Sequence, residues 1–401
     1  MPKETVESSG WPAVQLEARP WQRSGSEVAS RRALLRAHGE YRAAVPPEIR
    51  EASLSLSSET VALADDASAA LARFDAEAGP IAAPFAAILL RTESASSSEI
   101  EQLTASAKQV ALAELGASTS GNARLVVANV RAMRAALELA SGISEAAIIA
   151  MQASLLGESR PELTGAFRDQ QVWIGGGSLS PHGALFVPPH QDRVPALMAD
   201  CVEFAERTDI PVLVHAALAH AQFETIHPFP DGNGRTGRAL IHSMLRASGL
   251  TRNVTVPVSA GLLRNNEYYF AALTEYRAGN PAPIVAAVAE AAIWAVDNGS
   301  ALVAELRELS ESWATEIPSR RGSAAARLGE LLLRQPAVTA QLVADELRVS
   351  IPAAQSAIDR FVAHGQLRQT NEWRRNRIWV AHGVLAALDG FAARARRHPP
   401  Q

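Results

Sequence analysis

The chain of 401 residues holds a single cysteine, Cys201, so no intrachain disulfide framework can form and a reducing compartment is its natural setting. Residues 1–32 are polar and carry no apolar signal core. No stretch reads as the ~18 or more apolar residues that a membrane-spanning helix needs. These absences point to a cytoplasmic protein with no membrane partner. The charge has no dominant sign: a formal −4 gives no pull toward nucleic acid or an anionic membrane as the main partner. Also missing are a His-Glu-x-x-His pair, paired cysteines, a Gly-x-Ser-x-Gly elbow and a Walker A loop, so any phosphate site here is not of the P-loop kind. His215 and His220 are five apart, which does not make the one-face pair of a helical metal site. No internal repeat is visible.

What is present is apolar material and one dense motif. Residues of apolar type make up 47% of the chain, enough for a sizeable core. The length suggests two or three domains, at about 150 residues each. The motif is His227-Pro228-Phe229-Pro230-Asp231-Gly232-Asn233-Gly234-Arg235-Thr236-Gly237-Arg238. Before it, residues 212–226 are apolar at helical spacing, with Asp209 as a candidate cap and Pro211 tolerated in the first turn. Pro228 disfavours the α region for His227 and ends that helix. The glycines of 231–234 permit φ > 0 and make a turn. A second amphipathic helix follows, with Leu240, Ile241, Met244 and Leu245 on one face and Gly249 as its stop.

A helix N-terminus behind a glycine-rich turn is an inexpensive place to bind an anion, because unpaired N–H groups and the helix dipole point at it. Arg235 and Arg238 are three apart and project from one face, and guanidiniums bond phosphate in a planar, bidentate way. Asp231 supplies a hard oxygen suited to Mg²⁺ shared with phosphates. His227 titrates near neutrality and can accept a hydroxyl proton.

This segment resembles the signature of the Fic family, His-x-Phe-x-Asp/Glu-Gly-Asn-Gly-Arg-x-x-Arg, at every defined position. The resemblance implies transfer of AMP from ATP to a Ser, Thr or Tyr hydroxyl of a target protein and of the enzyme itself, with Mg²⁺ as cofactor. It implies His227 as general base, Phe229 as core anchor and Asp231 as metal ligand. Gly232, Asn233, Gly234 and Arg235 would then bind the α- and β-phosphates, and Arg238 the γ-phosphate. The intact glycine turn favours nucleotidyl transfer over the kinase-like chemistry of the Doc branch. His220 and Glu224 fit family positions as buttresses of the loop.

Two short apolar runs, one with Trp173, Ile174, Gly175 and Gly176 and one with Phe186 and Val187, read as a β-hairpin. It resembles the family's flap, which aligns the target segment by strand pairing. Asn266, Tyr268 and Tyr269 resemble positions near the adenine, against the plain reading of an amphipathic helix packing its tyrosines. Ser97 and Glu101 resemble an N-terminal autoinhibitory motif, in which Glu101 would take the Arg238 guanidinium. Gln102 departs from the Gly or Asn that usually follows.

The fold class expected is mainly α: a Fic-type helical bundle with a β-hairpin flap and a small C-terminal winged-helix domain. The boundaries are an irregular arm (1–32), a helical N-terminal module with the inhibitory motif (33–116), the catalytic core (117–314), a linker (315–322) and a winged helix-turn-helix domain (323–401). In that last domain Ser323, Thr339 and Ser350 head helices, and two strand-like runs are joined by residues 373–375. Its third helix carries Gln355, Ser356, Asp359 and Arg360, a mixed face, so DNA contact and protein contact or homodimer packing both stay open. Two alternatives to adenylyl transfer also stay open: removal of AMP from a modified protein, and a DNA-binding regulator that uses the site as a nucleotide sensor.

Overall fold

The computed structural model describes residues 10–21, 37–78, 82–138, 142–317, 319–320, 322–370 and 376–397. The chain opens with strands β1 (Gln15–Trp21) and β2 (Gly39–Val45). Helices α1 (Ser58–Ala78), α2 (Ala82–Ile100), α3 (Ala107–Glu114), α4 (Gly121–Glu138) and α5 (Glu145–Leu156) follow. After a long loop come α6 (Val194–Ala205), α7 (Val212–Ile226), α8 (Asn233–Ala247), α9 (Val258–Arg264), α10 (Asn266–Arg277) and α11 (Ala282–Glu316). The last part runs α12 (Ala324–Arg334), β3 (Ala337–Val338), α13 (Ala340–Leu347), α14 (Ile351–Ala363), β4 (Leu367–Gln369), β5 (Trp379–Ala381) and α15 (His382–Ala395). The protein is mainly helical, as expected.

Two compact units divide the chain: Met1–Asp65 with Ala135–Ser248 and Glu267–Ala289, and Asp66–Arg134 with Gly249–Asn266 and Glu290–Gln401. They cut across the boundaries read from sequence, because helices far apart in the chain bury their apolar faces together.

In the first unit, α7 packs on both α6 and α8. Every residue from Leu213 to Ile226 is buried, the pattern of a helix at the centre of a core rather than on its surface. Strands β1 and β2 pair antiparallel, Gln15 opposite Val45 and Trp21 opposite Gly39. The expectation of an irregular arm over 1–32, followed by helix from 33, is therefore corrected for the described part. Cross-strand bonds and the ring contacts of Trp21 with Tyr41 and Trp173 make a sheet where local composition suggested none. The Asp200 carboxylate accepts the N–H groups of Ile49 and Arg50 at 2.7 and 3.1 Å and ties the chain after β2 to α6.

In the second unit, α2 packs against α9, α12 and α15. Asp75 accepts the backbone N–H groups of Arg252, Asn253 and Val254 at 2.8–2.9 Å. Glu93 accepts the Ser259 N–H at 2.8 Å and its hydroxyl. Ser323, Thr339 and Ser350 cap α12, α13 and α14, each accepting a bond from an N–H three residues on. Strands β3, β5 and β4 form one antiparallel sheet in that order. The expected strands are shorter than read, and residues 373–375 lie outside the described residues.

Among the described residues one helix, α11, is long and apolar enough to cross a membrane by length and composition, with a mean hydropathy of 1.2 over its apolar window. The sequence reading had found no such stretch, because alanine carries much of that hydropathy. Of its apolar window 56% is buried inside the protein, as in a core helix.

Candidate active site

α7 ends where Pro228 requires. His227 is its C-cap in the left-handed region, φ 51°, with its N–H on Phe223 O at 2.8 Å. A histidine at φ > 0 is uncommon and needs support from its surroundings. That support is Arg168, which the sequence reading did not single out. Its Nε donates to His227 O at 2.8 Å, its Nη1 to Gln170 O at 2.9 Å and its Nη2 to Pro189 O at 2.6 Å. Its own N–H donates to Pro228 O at 2.9 Å. Arg168 is buried, and burial pulls its guanidinium down to about 10. Its only sequence signal is an arginine just ahead of the hairpin.

Phe229 is fully buried, its ring 5.6 Å from Phe167 and 6.3 Å from Phe223. The Asn233 side chain closes the turn, accepting Phe229 N–H and donating to Phe229 O, both at 2.8 Å. It is 3% exposed. The amide is thus committed on both atoms within the turn.

Gly232 caps α8 at φ 83°, and a Cβ there would lie 2.9 Å from Leu155 Cδ2. Asp231 Oδ1 accepts Gly232 N–H at 2.6 Å and lies 3.6 Å from Arg235 Nη2. Its Oδ2 lies 3.0 Å from Arg160 Nη1, another residue that sequence reasoning missed. Arg235 and Arg238 start α8 almost wholly buried. Gly237, between them, lets α7 and α8 close: a Cβ there would lie 2.9 Å from Glu224 Oε1 and Phe223 Cδ1.

The His227 ring is 20% exposed, with Glu224 Oε2 3.8 Å from Nδ1. His220 is buried and neutral, held down to about 3 by burial and then by the nearby Arg238 charge. Its Nε2 meets Tyr269 Oη at 2.8 Å. Tyr269 therefore packs in the core and bonds locally, the plainer of its two readings. Tyr268 sits half-buried beside it on α10, and Asn266 belongs to the second unit.

The flap is slighter than a hairpin: one antiparallel bridge, Ile174 to Phe186. Gly175 and Gly176 turn at φ 74° and 76°, and Trp173 Nε1 donates to Gly177 O. Val187 O accepts Ala44 N–H at 2.9 Å, so β2 braces the flap from one side. Arg277 lies 3.7 Å over the Phe186 ring. Leu185 at the flap is 87% exposed.

Ser97 is fully buried on α2. Glu101 does not share that helix. α2 stops at Ile100 and Glu101 sits in the following turn, exposed. Gln102 takes φ 62°, the conformation that Gly or Asn adopts with least strain. Both residues belong to the second unit and Arg238 to the first.

A helix thus ends on a left-handed histidine and is joined by a glycine turn to a helix that carries Arg235 and Arg238 in its first two turns. Residues 142–245 match the model of the Fic/DOC family and residues 61–138 that of the family's N-terminal region. An Aquifex aeolicus chain named "probable protein adenylyltransferase" is 42% identical over 99 residues, 24% of this chain and 28% of that one. Protein adenylyltransferase fic-1 of Caenorhabditis elegans is 31% identical over 146 residues, 36% of this chain and 26% of the relative. The chain thus spans about a quarter of the length of these curated relatives. A crystal structure of a Fic family protein from Desulfovibrio desulfuricans G20 covers 84% of this chain and 98% of its own at a TM-score of 0.53 and 23% identity, a likeness of fold.

Proposed function

We propose that this chain is a protein adenylyltransferase that moves AMP from ATP to a hydroxyl side chain of a target protein and of itself. The observation that carries the reading is the His227–Arg238 loop. A histidine is held at a helix end by Arg168, next to a glycine-capped helix N-terminus with two buried arginines in its first two turns. The backbone N–H groups near Gly232, Asn233 and Gly234, with Arg235 and Arg238, would bind the phosphates. Among the described residues no three His, Cys, Asp or Glu side chains cluster to hold a metal. Asp231, 28% exposed, suits a Mg²⁺ whose other ligands are phosphate oxygens and water, and the ion would supply charge neutralisation there.

In the reaction, the flap holds an extended target segment. His227 takes the hydroxyl proton, the oxygen bonds to the α-phosphorus and the bond to the β-phosphate oxygen breaks. Pyrophosphate leaves with the electron pair. Positioning and charge neutralisation supply most of the rate. Glu101 is proposed as the inhibitor of this site, and faster self-labelling by Glu101→Gly would bear on it. The order α12, β3, α13, α14, β4, β5 supports the winged-helix reading. Its third helix bonds Gln355 to Asp359 and Arg377 to Gln355, which favours a packing or protein-contact role over DNA.

The test is transfer of label from ATP tagged at the α-phosphate to the chain itself and to lysate proteins. His227→Ala is expected to lower transfer about 10²–10⁴-fold with ATP binding kept within a few-fold. Near wild-type transfer by the variant, or label arriving equally from γ-tagged ATP, would refute the reading.

A further inference from the structure

Asp231 carries a second cation from outside its own loop. Arg160, in the turn after α5, places Nη1 3.0 Å from Asp231 Oδ2. The other oxygen is held within the loop by Gly232 N–H at 2.6 Å. The backbone of Arg160 is pinned, its N–H on Leu156 O at 2.7 Å and Pro161 next in the chain. Its side chain is 54% exposed, so no packing fixes the head where it lies. A hard cation arriving at Asp231 competes with Arg160 for Oδ2, the oxygen that the loop's own N–H groups leave to it. The Arg160 guanidinium then gives way, yet a pinned backbone keeps it at the mouth of the same anion site.

We propose that Arg160 is a phosphate clamp, held by Asp231 and passed to the leaving pyrophosphate when the nucleotide binds. It hydrogen-bonds the charge that gathers on the β-phosphate oxygen as the bond from the α-phosphorus breaks. The proton from the target goes to His227 and the electron pair leaves with pyrophosphate, so Arg160 neither gives nor takes a proton. A guanidinium suits this transfer, since carboxylate and phosphate present the same planar pair of acceptors to it. The proposal rests on the loop being a nucleotide site.

The experiment is calorimetric titration of the full chain with magnesium pyrophosphate, and separately with AMP, which lacks the leaving group. Arg160→Gln is expected to weaken pyrophosphate on the order of 10- to 100-fold and leave AMP unchanged. Arg160→Lys should recover part of the loss. With ATP as substrate, kcat should fall further than KM rises for Arg160→Gln. Pyrophosphate binding by Arg160→Gln equal to or tighter than wild type would overturn the clamp and leave the nucleotide site standing. A wild type that binds neither ATP nor pyrophosphate would overturn the nucleotide site itself. An unchanged unfolding temperature, expected for an exposed side chain, keeps the comparison one of binding.

Discussion

Replacing Arg168 with methionine tests whether a side chain bonded to backbone carbonyls sets the geometry of His227. In the folded protein its three nitrogens donate to the carbonyls of His227, Gln170 and Pro189. Leaving each carbonyl without a donor costs about 1–3 kcal/mol. Against this, burial holds the guanidinium near 10 instead of 12.5, and removing the charge returns about 3 kcal/mol of that desolvation. The balance is a loss of about 3 kcal/mol of stability, read as a lower urea midpoint at unchanged slope. The catalytic effect should be larger than the stability loss suggests. Without the bond to its carbonyl, His227 is free to leave φ 51°, and a displacement of ~1 Å costs about 10²-fold. The assay is AMP transfer at saturating ATP, at a temperature where circular dichroism shows the variant folded. Arg168→Lys, which keeps the charge but loses the planar fork, should fall between. A folded Arg168→Met that transfers AMP within two- or threefold of wild type, on the order of a side chain with no positioning role, would refute the reasoning.

His220 has its pKa depressed from 6.5 to about 3, so the unfolded chain takes up a proton there before the folded one does. Its contribution is complete above pH 6.5 and declines by about 1.4 kcal/mol per pH unit as pH falls from 6.5 towards 3. Urea melts at pH 7, 6 and 5 should show a shallower decline for His220→Gln, and an unchanged slope would contradict a buried neutral imidazole. Gln102→Gly relieves a left-handed residue and should raise stability by about 1 kcal/mol; a lower unfolding temperature would deny the strain. Gly237→Ala drives a methyl to 2.9 Å from Glu224 and Phe223 and should cost about 1–3 kcal/mol with loss of transfer, whereas wild-type stability would mean α7 and α8 can yield.

Much of the site was legible in the sequence because its chemistry is contiguous. Twelve residues hold the histidine, the carboxylate, the turn and both arginines, and Pro228 with two glycines dictates where one helix stops and the next begins. The same locality made Ser323, Thr339 and Ser350 readable as caps, since a cap bonds an N–H three residues away. Gln102 was visible as a departure from the expected residue, and the left-handed φ supplies the physical sense of that departure.

Tertiary structure decided what no window of sequence contains. Arg168 supports His227 across 59 positions, and Arg160 reaches Asp231 across 71, so neither has a local signature. Strand β1 exists because β2 supplies its partners, and β2 in turn braces the flap at Val187. Asn233 reads as a phosphate ligand in the sequence, yet its amide is taken by Phe229 once the turn closes. The sequence determined where the backbone turns and which charges line the loop, since those follow from the conformational limits of Pro and Gly and from residue type. The fold alone decided which hydrogen-bonding groups are committed and which remain for a ligand, because a buried donor or acceptor must find a partner in space, however far off along the chain.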